Sequence, residues 1–453
     1  MCNQGRLQNV EEGRFISAII PATDDNRKCP GIARLARLCW YEGVDFPGIR
    51  IRKLNGSMAP LNPRVFCTLP FVHVNNRVDG KITACCHISE PTKKPNGEAF
   101  NIVEGDSLED AFRSEFMRSL RVNMLTGVRD PRCSKCWMLE DIGNRSKRIN
   151  DGNRYLMQLE DRHLQVDPPF EPMSWDVKLG SNCNLKCRMC DPFTSSALMR
   201  EAAENGWIDV NQSRRHLQAT VDLLRHPKFK AELERLVQYA REIYFLGGEP
   251  SLLRQHLDIA DVAIRDGHAE KTTIRWSTNL THFDDDFIDR ARRFAKVTID
   301  CSVDGFGEVN EYIRFGSRWS EIESRMERIR KALPEAEIKI VCTVQIYNVF
   351  NVERLAEWAG QWGVELAFNF LSWPNYLSSQ CLPEELRQNL REKYHRAHPD
   401  RYRSLCNWLN RGEFTDAFAE FHSYTRKLDR VRGQNFLSLV PPEYREHFDL
   451  CVP

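Results

Sequence analysis

The chain has 453 residues, and its 64 Lys and Arg nearly balance 63 Asp and Glu, which leaves a formal net charge of +1. This balance provides no overall electrostatic footprint for nucleic acid or an anionic membrane, so we predict neither as a partner. The first residues carry Glu11 and Glu12 without an apolar signal-peptide core, and no later window reaches the length of a membrane span, which predicts a soluble cytoplasmic protein.

The first half of the chain contains two predicted regions. Residues 1–63 mix short apolar runs with Pro and Gly and receive no structural assignment. Residues 64–150 hold two strand-like pieces, "FCTLPFVHV" and "KITACCHI", joined by the turn-like "NNRVDG". A helical pattern follows from Ser107, its predicted cap, to Leu125. The proline-rich "DPPFEP" then predicts a linker.

Residues 173–376 alternate short strand patterns with amphipathic helices, which is typical of β/α units around a parallel sheet. Since there are six such strands, we predict an incomplete barrel rather than the eightfold one. Residues 377–453 are charged and predict a helical C-terminal extension. The six predicted strands are "SWDVKLG", "EIYFLGG", "TIRWSTN", "VTIDCSVDG", "IKIVCTVQI" and "ELAFNFL".

Sixteen cysteines in a large chain without an export signal indicate reduced thiols, either metal-binding or passively packed. Three of them, Cys183, Cys187 and Cys190, lie directly after the first predicted strand, where barrel active sites are built. Three thiolates can hold three irons of a 4Fe-4S cube and leave the fourth iron open for an exogenous ligand. A zinc site with a distant ligand fits less well, because zinc knuckles usually pair two C-x2-C units.

This C-x3-C-x2-C loop resembles the signature of the radical SAM superfamily. The resemblance implies an enzyme with a partial (β/α)6 barrel and a 4Fe-4S cluster whose open iron is chelated by S-adenosyl-L-methionine (SAM). It further implies a 5′-deoxyadenosyl radical that abstracts a substrate hydrogen, with the three cysteines as catalytic cluster ligands. The family often has an aromatic residue before the third cysteine, and here that position is Met189, which is apolar and adaptable enough to pack near adenine.

The resemblance also implies SAM contacts at the ends of later strands. The "GGEP" stretch is similar to the family motif that receives the methionine amino group. Alternation in "VTIDCSVDG" predicts that Ser302 and Asp304 face the barrel interior, because a polar face on a buried strand is costly unless it lines a cavity. For Arg314, a surface salt bridge is an equal alternative. The remaining expected contacts are Gly247, Gly248, Glu249, Pro250, Asn279, Arg314, Thr343 and Gln345.

A second set of cysteines lies upstream, at Cys67, Cys85, Cys133 and Cys136, with Cys86 as a spare that could replace Cys85. From four thiols alone, zinc and iron–sulfur are evenly matched. The Cys-Gly-Cys run and the later C-x2-C resemble the auxiliary-cluster domain of the SPASM and twitch groups of radical SAM enzymes. Because this region precedes the barrel, the chain resembles N-terminal twitch domain-containing radical SAM proteins, which implies a small α+β domain with a second, auxiliary 4Fe-4S cluster.

The resemblance implies an oxidoreductase or maturase that draws electrons from a flavodoxin- or ferredoxin-like donor. An auxiliary cluster that accepts an electron would give substrate oxidation or a cross-link, whereas a thiol hydrogen donor would give epimerisation. The substrate is expected to be a ribosomal peptide or a small aminoglycoside-like molecule. Outside this class, the alternative is a zinc-stabilised scaffold protein on a β/α frame.

Overall fold

An eight-stranded sheet organises the chain in this computed structural model, which describes residues 50–52, 58–219 and 226–449. Most of the unassigned segment 1–63 lies outside the described residues. The described strands, numbered along the chain, are β1 (Arg50–Arg52), β2 (Met58–Pro60), β3 (His73–Asn76), β4 (Ile82–Thr83), β5 (Ser174–Lys178), β6 (Lys186–Cys187), β7 (Glu242–Leu246), β8 (Thr273–Thr278), β9 (Lys296–Ser302), β10 (Arg314–Phe315), β11 (Glu337–Val344) and β12 (Glu365–Phe370).

The six strands predicted for residues 173–376 all form, and they pair in parallel in chain order as β5, β7, β8, β9, β11 and β12. Alternation of side chains along each strand gives the sheet two different faces. In β11, for example, the residues Ile338, Ile340, Cys342 and Val344 are buried, while the residues between them are half-buried. Helices cover the apolar face, and the opposite face carries mainly polar side chains. The carboxyl ends of the six strands therefore meet at one edge of the sheet.

The sheet continues into the region of the upstream cysteines. Strand β3 pairs in parallel with β5, with His73 opposite Ser174, and β4 pairs antiparallel with β3. The prediction of a strand throughout "FCTLPFVHV" is wrong, because Leu69–Val72 form a short helix with Pro70 in its first turn, where the missing N–H costs nothing. The region extends the parallel sheet and shares its core.

Residues 107–125 form two helices rather than the single predicted one. Ser107 caps the first, as predicted, by accepting from the N–H of Asp110. Ser114 ends that helix and caps the second by accepting from the N–H of Met117. The longer described helices are Glu115–Thr126, Ser134–Asp141, Ser196–Glu204, Val210–Ala219, Pro227–Tyr239, Gln255–Arg265, Trp319–Ala332, Val352–Gln361, Glu384–Ala397, Arg403–Arg411 and Phe418–Arg432; the shorter ones are Leu69–Val72, Leu108–Arg113, Lys147–Asn150, Gly152–Tyr155, Asp285–Ala291, Glu308–Ile313 and Glu446–Asp449.

The C-terminal region is helical, as predicted, and packs on the sheet. Leu386, Trp408 and Phe421 from its three longer helices join a hydrophobic core that also includes Val74 beside the upstream cysteines and Ile340 in the sheet. The described residues accordingly belong to one compact unit. In the described part of the chain, we find no helix with the length and apolar character needed to cross a membrane.

Candidate functional site

The three-cysteine loop lies between the end of β5 and the helix Ser196–Glu204. Cys183 and Cys187 are buried and pack together with Leu185, while Cys190 and Met189 pack against them and are half-buried. Pairing of β6 with β10 holds the middle of this loop. The structure therefore brings the three predicted ligand thiols together at the carboxyl edge of the sheet.

The "GGEP" loop packs directly on the backbone of the cysteine loop. Gly248 N–H donates to the Gly180 carbonyl at 3.2 Å, and Glu249 N–H donates to the Asn182 carbonyl at 2.7 Å. A Cβ on Gly248 would lie 2.3 Å from the Asn182 oxygen, and Gly247 has φ of +125° with a Cβ position 2.7 Å from the Gly180 oxygen. Only glycines permit this approach of two backbones.

The Glu249 carboxylate is buried, since the residue is 1 % exposed, and it hydrogen-bonds to groups of the protein itself. It accepts hydrogen bonds from the Ser251 hydroxyl at 2.6 Å, the Thr278 hydroxyl at 2.9 Å and the Asn279 N–H at 2.6 Å. Burial raises its pKa, against these hydrogen bonds, which lower it. The side chain therefore ties the end of β7 to the end of β8, and the backbone of the "GGEP" loop faces the cysteine loop.

Asn279 and Arg314 each lie close to the sulfur atom of one of the three cysteines. Asn279 Nδ2 donates to Asn184 Oδ1 at 3.1 Å and lies 3.9 Å from Cys183 Sγ. Arg314 Nη1 lies 3.8 Å from Cys187 Sγ, and its Nε lies 2.8 Å from Asp304 Oδ2. The alternative of a surface salt bridge for Arg314 is wrong, because both members of this ion pair are buried.

The other predicted contacts surround the same strand ends. Asp304 Oδ1 accepts from the N–H of Thr343 at 2.7 Å, and burial raises the Asp304 pKa. Gln345 is fully buried just after β11, and its side-chain amide donates to the Thr343 carbonyl. Ser302 is half-buried at the end of β9, and Pro250 is buried behind Glu249. Of these residues, Asp304 is connected to the thiols, because its partner Arg314 lies 3.8 Å from Cys187 Sγ.

The C-terminal extension contacts the cysteine loop at Arg188. This contact was not predicted from the sequence. Arg188 Nη2 lies 2.5 Å from Asp429 Oδ1 and donates to Gln434 at 2.8 Å, and the guanidinium stacks 3.7 Å from the Tyr312 ring centroid. Tyr424 O–H donates to the Arg188 carbonyl at 2.6 Å. A positively charged residue between Cys187 and Cys190 was the one available signal, but its partner lies 241 residues away.

The four upstream cysteines line a single pocket together with Lys147 and Arg148. Cys67, Cys85 and Cys136 are buried and Cys133 is half-buried, and burial raises the pKa of the Cys67 thiol to about 12. Cys86 does not line this pocket and is exposed. The structure therefore groups Cys85, and not its neighbour, with the other three thiols.

The four thiols that line the pocket are the donors that either a structural zinc ion or a 4Fe-4S cube uses. Among the described residues, no group of three or more Cys, His, Asp or Glu is already placed to bind a single metal ion, and this holds for the three-cysteine loop as well. The donor chemistry therefore fits both groups that the sequence left open.

A buried charge network on the polar face of the sheet adjoins this pocket and was also missed. Lys147 Nζ lies 2.8 Å from Asp151 and 3.2 Å from Asp176 on β5. Asp300 on β9 accepts from Arg275 Nε and the Tyr244 hydroxyl, each at 2.7 Å. Polar residues at alternate strand positions were the signal for this network.

Comparison with protein families identifies the central segment. Residues 177–359 match the model of the radical SAM superfamily, and they include the three-cysteine loop, the "GGEP" loop and strands β7 to β11. The match covers 183 of the 453 residues, so it shows that this central segment is similar to the radical SAM superfamily.

Several solved structures are similar to the chain at low identity. Native anSMEcpe with bound AdoMet is 18% identical over 48% of this chain and 58% of its own, with a TM-score of 0.33. Streptococcus suis SuiB bound to S-adenosylmethionine is 12% identical over 67% of each chain, with a TM-score of 0.31. TYW1 with a lysine-pyruvate adduct is 14% identical over 47% of this chain and 70% of its own, with a TM-score of 0.26.

These likenesses are too distant to bear on substrate or mechanism. The chain spans 58% of the length of anSMEcpe. No curated protein matches the chain. The likeness to the radical SAM superfamily therefore rests on residues 177–359.

Proposed function

We propose that this chain is a cytoplasmic radical SAM oxidoreductase with two iron–sulfur clusters. The three-cysteine loop would hold the 4Fe-4S cluster that binds SAM, and Cys67, Cys85, Cys133 and Cys136 would hold an auxiliary 4Fe-4S cluster. The observation that carries this proposal is the presence of two separate thiol groups, one of three and one of four, on a chain with a radical SAM domain.

When bound, the cluster and SAM supply a 5′-deoxyadenosyl radical that takes a hydrogen atom from a substrate carbon. The residues of this chain bind and orient SAM. The "GGEP" backbone borders the thiols, Asn279 and Arg314 approach the sulfurs, and Asp304 fixes the Arg314 guanidinium. The proposed SAM contacts are Met189, Gly247, Gly248, Glu249, Pro250, Asn279, Ser302, Asp304, Arg314, Thr343 and Gln345.

The auxiliary site would make the net reaction a two-electron oxidation, because it offers an acceptor for the electron left on the substrate radical. The grouping of four thiols around one pocket supports a cluster there, since four thiolates are the ligands of a 4Fe-4S cube. We propose membership of the N-terminal twitch group and a peptide substrate, with an aminoglycoside-like small molecule as the alternative. A flavodoxin- or ferredoxin-like protein would supply reducing electrons.

Anaerobic iron and sulfide analysis tests both sites at once. The reconstituted chain should hold about eight irons, from two four-iron cubes. A Cys183→Ala, Cys187→Ala, Cys190→Ala triple variant should keep about four and release no 5′-deoxyadenosine when reduced with SAM. A Cys301→Ala, Cys342→Ala double variant is the control, because those buried thiols belong to neither group.

Two results would contradict the proposal. A triple variant that retains all of its iron would remove the role of the three-cysteine loop. A colourless protein that contains zinc without acid-labile sulfide, and that does not respond to SAM, would favour the zinc scaffold instead.

A further inference from the structure

Lys178 occupies a position between the two thiol groups. It is the last residue of β5, on the polar face with Asp176, and the chain continues from it into the three-cysteine loop. Lys178 Nζ donates to Asn75 Oδ1 at 2.5 Å and to the Asn76 carbonyl at 3.3 Å. Both partners are neutral oxygens on the neighbouring strand β3.

The charge of Lys178 is not compensated by a contact. Lys147, in contrast, lies within 3.2 Å of two carboxylates, Asp151 and Asp176. In the described part of the chain, no carboxylate lies within the 4.0 Å ion-pair distance of Lys178 Nζ, whose partners are the two asparagines. A neutral amine suits this site, because it has two N–H groups for two acceptors and keeps a lone pair.

The titratable groups that act on Lys178 come from three elements. Burial lowers the pKa of Lys178 as the largest effect, and Lys147 lowers it further. Asp176 on the same strand and the thiols Cys85 and Cys86 after β4 act in the opposite direction. The neutral form of the amine is therefore favoured relative to a lysine in water.

Hydrogen bonds connect Lys178 to an auxiliary-site residue. Asn75 accepts from Lys178 and donates through Nδ2 to the Thr83 hydroxyl, which lies opposite it in the β3–β4 pair. The Thr83 hydroxyl in turn donates to the Cys85 carbonyl at 3.1 Å. The amine is thus linked to Cys85 through two side chains and lies five residues before Cys183.

We infer that Lys178 takes up the proton that accompanies electron transfer to the auxiliary cluster. The inference rests on the proposed function. In the balanced step, the 5′-deoxyadenosyl radical has removed one hydrogen atom from a carbon that bears a hydroxyl, amine or thiol. The remaining substrate radical gives one electron to the oxidised auxiliary cluster and one proton to neutral Lys178 Nζ. The product gains a carbon–heteroatom double bond, the cluster is reduced by one electron, and the amine becomes an ammonium.

The direction of coupling follows from Coulomb's law. A cluster that gains one negative charge favours the charged form of a nearby amine. Reduction therefore draws a proton onto Lys178, and removing that proton at high pH makes reduction harder. The potential of the auxiliary cluster should fall as pH rises through the lysine titration.

The test uses the full chain in the Cys183→Ala, Cys187→Ala, Cys190→Ala background, where only the auxiliary cluster contributes a signal. Its midpoint potential is measured by redox titration with electron paramagnetic resonance between about pH 6 and about pH 10, a window that spans a lowered lysine pKa. With Lys178 present, the potential should decline with pH. The Lys178→Met variant should show a flat profile.

Two further variants separate titration from structure. Lys178→Arg keeps a permanent cation, so its profile should be flat but displaced to higher potential than that of Lys178→Met. Lys81→Met removes a half-buried lysine that pairs with Asp79, and it should keep the sloping profile. Burial lowers the pKa of His73 to about 4 and that of His87 to about 3, so neither histidine titrates in the window.

The outcomes separate the inference from the proposal on which it rests. An equal slope with and without Lys178, in protein that holds about four irons, would overturn the inference alone. A triple variant without iron or sulfide would overturn the auxiliary site, and the inference with it. Loss of the slope only in Lys178→Met and Lys178→Arg would establish the coupling.

Discussion

The two thiol groups are built in opposite ways. The three-cysteine loop is a local structure, with Cys183, Cys187 and Cys190 close in sequence and fixed by contacts of their own loop to "GGEP" and β10. The four-cysteine pocket is assembled from Cys67 before a short helix, Cys85 after a hairpin, and Cys133 and Cys136 at a later helix start. A local group depends on loop geometry, whereas a dispersed group depends on closure of the whole region.

Their charges differ as well. Beside the three-cysteine loop, the Arg314 cation is offset by one carboxylate, that of Asp304. Beside the four-cysteine pocket, Lys147 is offset by two carboxylates, and Arg148 lies 2.5 Å from Glu140. Burial raises the pKa of Cys67 and of Cys183 to about 12, so loading either group with metal releases protons.

The largest expected effect comes from a matched pair of neighbouring substitutions. Cys85→Ala should lose about four irons, because it removes a thiol from the four-cysteine pocket. Cys86→Ala should retain them, because that side chain lies outside the pocket. Iron and sulfide analysis after anaerobic reconstitution measures both.

The same two variants can also show that Cys86, and not Cys85, is the ligand. Iron loss in Cys86→Ala, with full retention in Cys85→Ala, would mean that the hairpin turns its other thiol inward when the metal binds. Release of 5′-deoxyadenosine in the presence of SAM should persist in both variants, since neither touches the three-cysteine loop.

A smaller effect is expected where the C-terminal extension holds the three-cysteine loop. Asp429→Ala leaves the buried Arg188 guanidinium without its carboxylate, which should lower the free energy of unfolding by about 3 kcal/mol. Iron should be lost selectively from the three-cysteine loop. Thermal unfolding measures the first consequence, and iron analysis in a Cys85→Ala background, where only the three-cysteine loop should hold iron, measures the second.

Asp400→Ala is the matched control, because Asp400 forms an exposed i,i+3 ion pair with Arg403 in the same extension. Such a pair contributes at most about 1 kcal/mol. Equal iron loss in the Asp400 and Asp429 variants would mean that the extension acts through its overall folding and not through Arg188.

The sequence was most informative where structure is local. The alternation of Ile338, Ile340 and Cys342 was enough to predict β11, and the spacing of Cys183, Cys187 and Cys190 was enough to predict a joint thiol site. The helix Leu69–Val72 was missed because its four apolar residues also fit a strand, and a run this short carries no period.

Contacts between segments that are distant in the chain could not be predicted from the pattern of residue types. Parallel pairing of β3 with β5 joins residues about one hundred positions apart and places Asn75 beside Asp176. The Asn75–Lys178 contact depends on this pairing, and the Arg188–Asp429 pair joins residues 241 positions apart. The dispersed thiols needed a family resemblance for the same reason, since Cys67 and Cys136 have no common periodicity.

The smallest expected effect concerns two buried histidines, one behind each region. His256 lies behind the "GGEP" loop, with its ring Nδ1 3.0 Å from the Pro250 carbonyl, and His73 on β3 lies 3.0 Å from the Ser174 hydroxyl. Burial lowers the pKa of each to about 4, below the ordinary histidine value of 6.5. Between those values the unfolded chain binds more protons than the folded one, so stability falls as pH falls. Each histidine should contribute about 1.0 kcal/mol of this loss between about pH 6.5 and about pH 5.5.

Chemical denaturation at two pH values, about 6.5 and about 5.5, measures this loss. His256→Gln should remove the part of the pH-dependent stability loss that His256 causes, and His73→Gln should remove the part that His73 causes. Hydrogen exchange then locates each share, because the "GGEP" amides should lose protection at low pH through His256 and the β3 amides through His73. An unchanged slope in both variants would mean that neither imidazole is kept neutral by the fold. If only His256→Gln removes the pH dependence of stability, acid sensitivity belongs to the region of the three-cysteine loop. The contacts that hold the four-cysteine pocket together would then not depend on protonation of His73.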